Sequence, residues 1–174
     1  MDTMQLIEGD TVQVFTLKKG ISDTILFNEK AVLDRYGFTP ELIADYKGLR
    51  GDPSDNIIGI AGVGEKTATI LITKFGGIEQ IYKKLKKDEQ QFRDAGITPR
   101  IIGLLKEGEE EALFSKTLAT IRRDAPISFV LPVEHWHGTV DAQKIQDLFT
   151  ILEFKSLIPK VVYLGKTNNE QQSG

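Results

Sequence analysis

The stretch from Leu49 to Thr69 constrains this chain more than any other segment. It carries two acids, Asp52 and Asp55, followed by a glycine hairpin, Gly62-Val63-Gly64, after which a helix is predicted. Glycines immediately before a helix start let backbone amides and the positive end of the helix converge on an anion. The sequence therefore predicts acids that can hold a metal beside amides that can hold a phosphate.

The acidic pair has two interpretations. Asp52 followed by Pro53 is typical of a helix N-cap with proline at the first helical position. In such a helical turn Asp55 lies on the same face as Asp52, and two converging carboxylates suit Mg²⁺, which keeps the rest of its shell for water and phosphate. The pair alone favours the simpler alternative, in which Asp52 only caps a helix and Asp55 is a solvated surface acid.

Two nucleotide-binding patterns fail on spacing. A P-loop needs Gly, four residues and then Gly-Lys-Ser/Thr, but Glu65 stands between Gly64 and Lys66-Thr67. The dinucleotide pattern needs a third glycine where this chain has Thr67. What remains is a hairpin between two helices that holds a backbone phosphate of a polymer, a contact that positions nucleic acid without reading its sequence.

Hydrophobic periodicity elsewhere predicts a mainly α-helical protein with a small β-hairpin at its N-terminal edge. Residues 11–17 alternate in polarity, and 24–27 return after a Lys18-Lys19-Gly20 turn. Asn28 is the expected cap of one short helix, and Thr39-Pro40 begins another. Further helices are expected over 65–75, 78–85, from 98, over 107–123 and from 141, with an extended segment over 127–131.

Composition bounds the class of protein. A length of 174 residues with 40% hydrophobic content predicts one compact domain over 1–165, and the polar segment 166–174 is expected to be disordered. The chain has no long apolar run and no signal-peptide pattern, so a soluble, cytoplasmic monomer without membrane contact is expected. It has no cysteine, which excludes disulfides and thiolate metal sites. With a net charge of −3, any nucleic-acid surface must be local.

Three further clusters have alternative interpretations. The lysines at 83, 84, 86 and 87 are equally consistent with phosphate contacts and with solvation of a helix end. For Arg122-Arg123 the solvated interpretation is favoured. His135 and His137 flank Trp136 without a third metal ligand nearby, so a surface loop is expected there.

The segments 51–56 and 62–68 together resemble the helix-three-turn-helix signature of the 5′ nuclease family, in particular the 5′-3′ exonuclease domain of bacterial DNA polymerase I and its stand-alone relatives. Segments 2–6, 36–41 and 115–121 also match stretches typical of that family. The resemblance covers residues 1–160. It implies the C-terminal helical part of an α/β 5′ nuclease domain containing a motif of the helix-hairpin-helix type.

The resemblance also implies site residues and cofactors. Asp52 and Asp55 are implied to bind metal, with Asp2 in the same acidic cluster. The ions would be Mg²⁺ or Mn²⁺ in a two-metal hydrolysis, one activating water and the other steadying the leaving oxygen. The hairpin carbonyls are implied to hold K⁺ against a phosphate. The residues implied to contact double-stranded DNA with a 5′ flap, nick or end are Ser54, Gly62, Val63, Gly64, Lys66 and Thr67.

The chain also departs from the family pattern. Met1 stands inside the family's Gly-Asp-x-Asp motif, so the chain is expected to be the C-terminal part of a nuclease domain, without the first acid of that motif and the preceding strands. Ile58 replaces a frequent proline. Because three carboxylates are few for two ions, we expect the chain alone to bind DNA weakly and not to cut it. A separate N-terminal half or a downstream polymerase domain is the expected partner. Two functions stay open: part of a 5′-3′ exonuclease and flap endonuclease of replication and repair, or a non-catalytic helix-hairpin-helix DNA-binding module.

Overall fold

The structure, a computed structural model, describes residues 1–20, 22–133 and 140–161. The predictions for His135-Trp136-His137 and for the tail at 166–174 lie outside the described residues. The chain forms two compact units, 1–124 and 125–174, where the sequence predicted one domain over 1–165. The boundary falls at the start of segment 125–133, which contains neither helix nor strand.

The first unit begins with a 3₁₀ helix, Asp2–Leu6, and the predicted antiparallel hairpin of β1 (Val14–Lys19) and β2 (Asp23–Phe27). Val14 pairs with Phe27, and the register shifts between Leu17 and Lys19. One face of the hairpin packs against the core through Val14, whereas Phe15 on the other face is exposed. This alternation follows from the two-residue period of a strand.

Short helices make up the rest of the first unit, and none of the helices in the described ranges is long and apolar enough to cross a membrane. A 3₁₀ turn, Pro40–Leu42, directly precedes the helix that begins at Ile43. The short helices are α1 (Glu29–Tyr36), α2 (Ile43–Arg50), α3 (Glu65–Phe75), α4 (Ile78–Lys87), α5 (Gln90–Asp94), α6 (Pro99–Glu107) and α7 (Glu109–Ala119).

The predicted helix starts are confirmed where a cap or proline marks them. Asn28 Oδ1 accepts a hydrogen bond from the Ala31 amide at 2.9 Å, and Gly37 ends α1 in the left-handed region at φ 81°. Thr98 caps α6 through its side chain. These signals are local, which is why the sequence alone located them.

Helix α2 lies at the centre of the first unit, in contact with α3, α4 and α7, and all its residues from Ile43 to Leu49 are buried. Gly48 allows the closest approach, because a Cβ there would lie 2.8 Å from the Ala112 carbonyl oxygen of α7. The N-terminal 3₁₀ helix also contacts α2. The end of α2 is therefore held rigidly between the chain start and α7.

Helix α3 has the predicted bounds, and its buried residues recur at the spacing of one helix face, as hydrophobic periodicity requires: Ala68, Leu71, Ile72 and Phe75. The helix predicted over 107–123 is wrong in both bounds, since Gly108 separates α6 from α7 and α7 ends at Ala119. A Cβ on Gly108 would lie 3.1 Å from the Ile60 side chain, so the junction packs tightly. Where α7 ends, the backbone at Ala119 and Ile121 forms hydrogen bonds with the side chain of Gln5.

In the second unit, α8 (Ala142–Ile151) begins where the sequence predicted it. Asp141 Oδ1 accepts hydrogen bonds from the amides of Gln143 and Lys144, each at 3.1 Å. Such a cap satisfies amides that the first helical turn leaves without partners. The start of α8 is therefore specified by residues next to it in the sequence.

Candidate metal centre and nucleic-acid interface

The loop after α2 is closed at its base. Helix α2 ends at Gly51, and Asp52 pairs with Ile57 through two backbone hydrogen bonds of 2.8 and 2.9 Å. The single turn predicted to begin at Pro53 is present, since the amides of Asp55 and Asn56 donate to the carbonyls of Asp52 and Pro53 at 3.2 and 3.4 Å, but it does not continue into a helix. Asp52 Oδ1 caps this turn by accepting from the Ser54 amide at 3.0 Å and the Ser54 hydroxyl at 2.6 Å.

The three predicted acids converge. One carboxylate oxygen each of Asp2, Asp52 and Asp55 lies within 4.8 Å of the other two. Asp2 comes from the N-terminal 3₁₀ helix, and the other two come from the loop after α2. Hard oxygen donors grouped in this way have the ligand chemistry that Mg²⁺ and Mn²⁺ prefer.

Lys47 lies at the centre of this acidic cluster and was missed by the sequence analysis. Its ammonium is 2.5 Å from Asp52 Oδ2 and 3.4 Å from Asp55 Oδ2, and it also donates to Asp2 Oδ1. Its side chain is 1% exposed. The sequence did contain a signal for this contact. Lys47 lies in the last turn of α2, directly before Gly51-Asp52, so its ammonium can reach the acidic loop that follows the helix.

The electrostatics of the cluster keep it charged. Burial by itself raises the pKa of Asp52, but hydrogen bonds from Lys47 and Ser54 lower that pKa to about 2. Burial lowers the pKa of Lys47, and hydrogen bonds to Asp2 and Asp52 outweigh it, so the pKa of Lys47 is raised. The Lys47 ammonium and the Asp52 carboxylate are therefore ionised together near neutral pH.

A cavity of about 270 Å³ opens beside the cluster. Asp2, Asp55 and Ile57 line one part of it, and the end of α7 with residues 118–121 lines the other. Gln5, in the 3₁₀ helix that carries Asp2, links that helix to the end of α7. Its Nε2 donates to the Ala119 carbonyl at 2.8 Å, and its Oε1 accepts from the Ile121 amide at 3.2 Å. Asp2 and Asp55 therefore face a pocket of defined shape.

The glycine hairpin opens onto α3 as predicted. Gly62 is left-handed at φ 91°, and Gly64 is the N-cap residue of α3. No side chain in the described structure caps this helix start, and a Cβ on Gly64 would meet nothing within 4 Å. The first-turn amides of α3 thus face an open surface, the arrangement that suits an anion.

The predicted DNA-contacting residues divide between two places. Lys66 is exposed and Thr67 half-buried in the first turn of α3, beside the hairpin. The Val63 side chain is buried in the core, 2% exposed, which leaves only its backbone for a ligand. Ser54 belongs to the acidic loop through its hydrogen bonds to Asp52.

Part of the other basic clusters serves internal contacts. Lys84 donates to the Phe75 carbonyl at 2.9 Å, and Lys86 pairs with Glu109 at 2.7 Å. Arg122 pairs with Asp124 at 2.9 Å, and Arg123 donates to the Gln5 carbonyl. These contacts favour a structural role for Lys84 and Arg123, whereas Lys86 and Arg122 form exposed ion pairs and are solvated.

Comparison with known proteins agrees with this architecture. Residues 38–139 match the family model described as 5′-3′ exonuclease, C-terminal SAM fold. DNA polymerase I of Bacillus caldotenax is 40% identical over 150 residues, 86% of this chain and 16% of that protein. DNA polymerase I of Bacillus subtilis is 36% identical over 179 residues, 98% of this chain and 18% of that protein.

The more distant DNA polymerase I of Mycobacterium tuberculosis is 33% identical over 159 residues, 90% of this chain and 16% of that protein. The chain thus spans less than a fifth of the length of the curated relatives it matches. The predicted fold class, mainly helical with an N-terminal β-hairpin, is confirmed. On the family model and these identities, the chain belongs to the 5′-3′ exonuclease family.

Proposed function

We propose that this chain forms the DNA-holding hairpin and part of the metal centre of a nuclease that hydrolyses DNA phosphodiester bonds from a 5′ end or flap during replication and repair. The observation that carries the proposal is the convergence of Asp2, Asp52 and Asp55 within 4.8 Å. Acids distant in sequence are brought to one point beside a cavity, and membership of the 5′-3′ exonuclease family supports a nucleolytic use for them.

The donor set fits Mg²⁺ or Mn²⁺. Two oxygens bound to one Mg²⁺ lie at most about 4 Å apart, since each bond is about 2.1 Å long. A separation of up to 4.8 Å therefore suits one ion that binds some of the acids directly and others through water. When bound, such an ion polarises a phosphodiester oxygen and lowers the pKa of a bound water.

The chain's own residues prepare this site before any ion binds. Ser54 fixes the orientation of Asp52 through two hydrogen bonds, and Lys47 holds the three carboxylates near one another against their mutual repulsion. Gln5 keeps the segment that carries Asp2 attached to the end of α7. The Ser54 and Gln5 contacts preorganise the acids, which reduces the cost of ordering them around a cation.

The hairpin supplies the proposed grip on DNA. The uncapped amides at the start of α3 and the exposed Lys66 offer partial and full positive charge to one backbone phosphate. Thr67 adds a hydroxyl in the same turn. These contacts position a duplex without reading its bases, and a K⁺ ion at the hairpin carbonyls would strengthen them.

The test is Mg²⁺-dependent release of a labelled 5′ flap, with Asp55→Asn as the control variant. We expect weak duplex binding and no cleavage by the chain alone, because three carboxylates are few ligands for a two-metal reaction. Duplex binding that falls on Lys66→Glu supports the hairpin. Cleavage that survives Asp55→Asn contradicts the metal assignment.

A non-catalytic DNA-binding module is the second candidate. It is favoured by the position of Lys47, whose ammonium already neutralises part of the acidic cluster. This candidate predicts duplex binding that is unchanged in excess EDTA and no measurable Mn²⁺ binding. The nuclease proposal predicts measurable Mn²⁺ binding that is lost on Asp55→Asn.

A further inference from the structure

We infer that Lys47 is a positioning residue whose charge makes this acidic cluster suit a single divalent cation. Lys47 pairs with Asp52 and leaves Asp2 and Asp55 to bind the ion. The inference rests on the proposed function, because it takes the cluster to be a metal centre. The positions of the acids in the sequence did not identify Lys47.

Asp52 is the carboxylate that the protein itself occupies. Its Oδ2 lies 2.5 Å from the Lys47 ammonium, and its Oδ1 accepts from the amide and the hydroxyl of Ser54 at 3.0 and 2.6 Å. Its side chain is only 16% exposed. Both oxygens of Asp52 are thus engaged before any cation arrives.

Asp2 and Asp55 are more accessible. Their side chains are 43% and 46% exposed, and both line the 270 Å³ cavity. Each contacts the Lys47 ammonium through one oxygen, Oδ1 of Asp2 and Oδ2 of Asp55. The other oxygen of each accepts no hydrogen bond from the residues in the described ranges. A cation entering from the cavity therefore meets these two acids.

The Lys47 ammonium remains in place when an ion binds. It is 1% exposed and lies on α2, whose residues are buried from Ile43 to Leu49. Moving it away from the carboxylates would leave a buried charge without a partner, which is strongly unfavourable. Because it is buried, Lys47 does not touch DNA and acts only through the acids.

Charge then sets the stoichiometry. Three carboxylates and one ammonium leave a net charge of −2, which a single divalent cation neutralises. A second divalent ion would make the cluster positive and would share the same few oxygens. We therefore expect one Mn²⁺ per chain.

The experiment measures Mn²⁺ binding by titration calorimetry and electron paramagnetic resonance on the full chain and on Lys47→Met. Removing a positive charge next to a divalent ion strengthens ion binding, so we expect Lys47→Met to bind Mn²⁺ about tenfold more tightly. In EDTA the same variant should melt at a lower temperature than the natural chain, because three carboxylates then repel one another. A loss of structure alone would weaken Mn²⁺ binding, so a gain in affinity is specific to the inference.

The matched control is Lys116→Met. Lys116 also bridges two acids, Asp45 and Glu79, each at 2.8 Å, but it lies outside the cluster. This variant should lose thermal stability with no change in Mn²⁺ affinity. Mn²⁺ affinity that is equal or weaker in Lys47→Met, or more than one Mn²⁺ bound by the natural chain, overturns the inference.

Single acid substitutions keep the test decisive if Lys47→Met fails to fold. Asp2→Asn and Asp55→Asn each remove a ligand and a charge and should weaken Mn²⁺ binding about a hundredfold, whereas Asp52→Asn removes only a charge and should weaken it about tenfold at most. Equal losses of Mn²⁺ affinity at all three positions would overturn the inference but would still support a metal centre at these acids. No Mn²⁺ binding by the natural chain overturns the metal centre and the inference together.

Discussion

Gly59 lies against Gly51 so closely that a Cβ on Gly59 would fall 2.2 Å from the Gly51 backbone nitrogen. Both residues are left-handed, with φ of 64° and 75°. This contact closes the base of the loop that carries Asp52 and Asp55 and keeps both acids next to the end of α2. The geometry of the acidic cluster therefore depends on two positions without side chains.

Gly59→Ala should destabilise the protein by about 2–4 kcal/mol, because a Cβ there meets backbone atoms and a left-handed residue other than glycine is strained. Urea denaturation monitored by circular dichroism measures the change. Gly103→Ala is the matched control: its Cβ would meet nothing within 4 Å inside α6, so a gain of about 0.5–1 kcal/mol is expected. Similar stabilities for the two variants would contradict the close contact.

Stability should fall in acid through Asp52. Its pKa is lowered from 3.8 to about 2 in the folded state. Its contribution is therefore fully present above pH 3.8 and is lost as the pH falls towards 2, and it amounts to at most about 2 kcal/mol. Urea unfolding in EDTA should show the natural chain more stable than Asp52→Asn at pH 5.5, with the difference disappearing near pH 2. A difference that is constant with pH would contradict the ion pair with Lys47.

Lys66→Ala should weaken duplex binding severalfold and reduce the slope of log affinity against log salt by about one, because one phosphate contact is lost. Fluorescence anisotropy with a labelled duplex at several salt concentrations measures both. Lys74→Ala changes another exposed lysine, at the opposite end of α3. Equal losses in the two variants would show that only overall charge, and not the hairpin end of α3, contributes to binding.

Gln5→Ala should cost about 1–3 kcal/mol, because it leaves the buried Ala119 carbonyl and the Ile121 amide without their partner. The expected readout is a lower urea midpoint. Gln13→Ala removes only an exposed 3.3 Å contact to the Asp10 carbonyl and should change stability by less than about 0.5 kcal/mol. An unchanged midpoint for Gln5→Ala would mean that the end of α7 is held by other contacts.

Much of the fold could be predicted from the sequence. The Asn28 cap, the Thr98-Pro99 start and the buried face of α3 were all confirmed. Caps and periodicity are interactions between residues a few positions apart, so a local pattern determines them. The glycine hairpin before α3 belongs to the same class, since the chain itself specifies where a helix can begin.

The candidate site was determined by tertiary contacts. The turn that begins at Asp52 does not continue as a helix because Ile57 pairs with both backbone groups of Asp52, and α7 ends at Ala119 beside the contacts to Gln5. Lys47 acquires its role only because packing of α2 buries it and the N-terminal segment brings Asp2 to it. The sequence by itself determined which acids and amides are present and which helices hold them. Only tertiary packing decided that a buried ammonium lies among those acids, because that arrangement joins residues 45 positions apart in the chain.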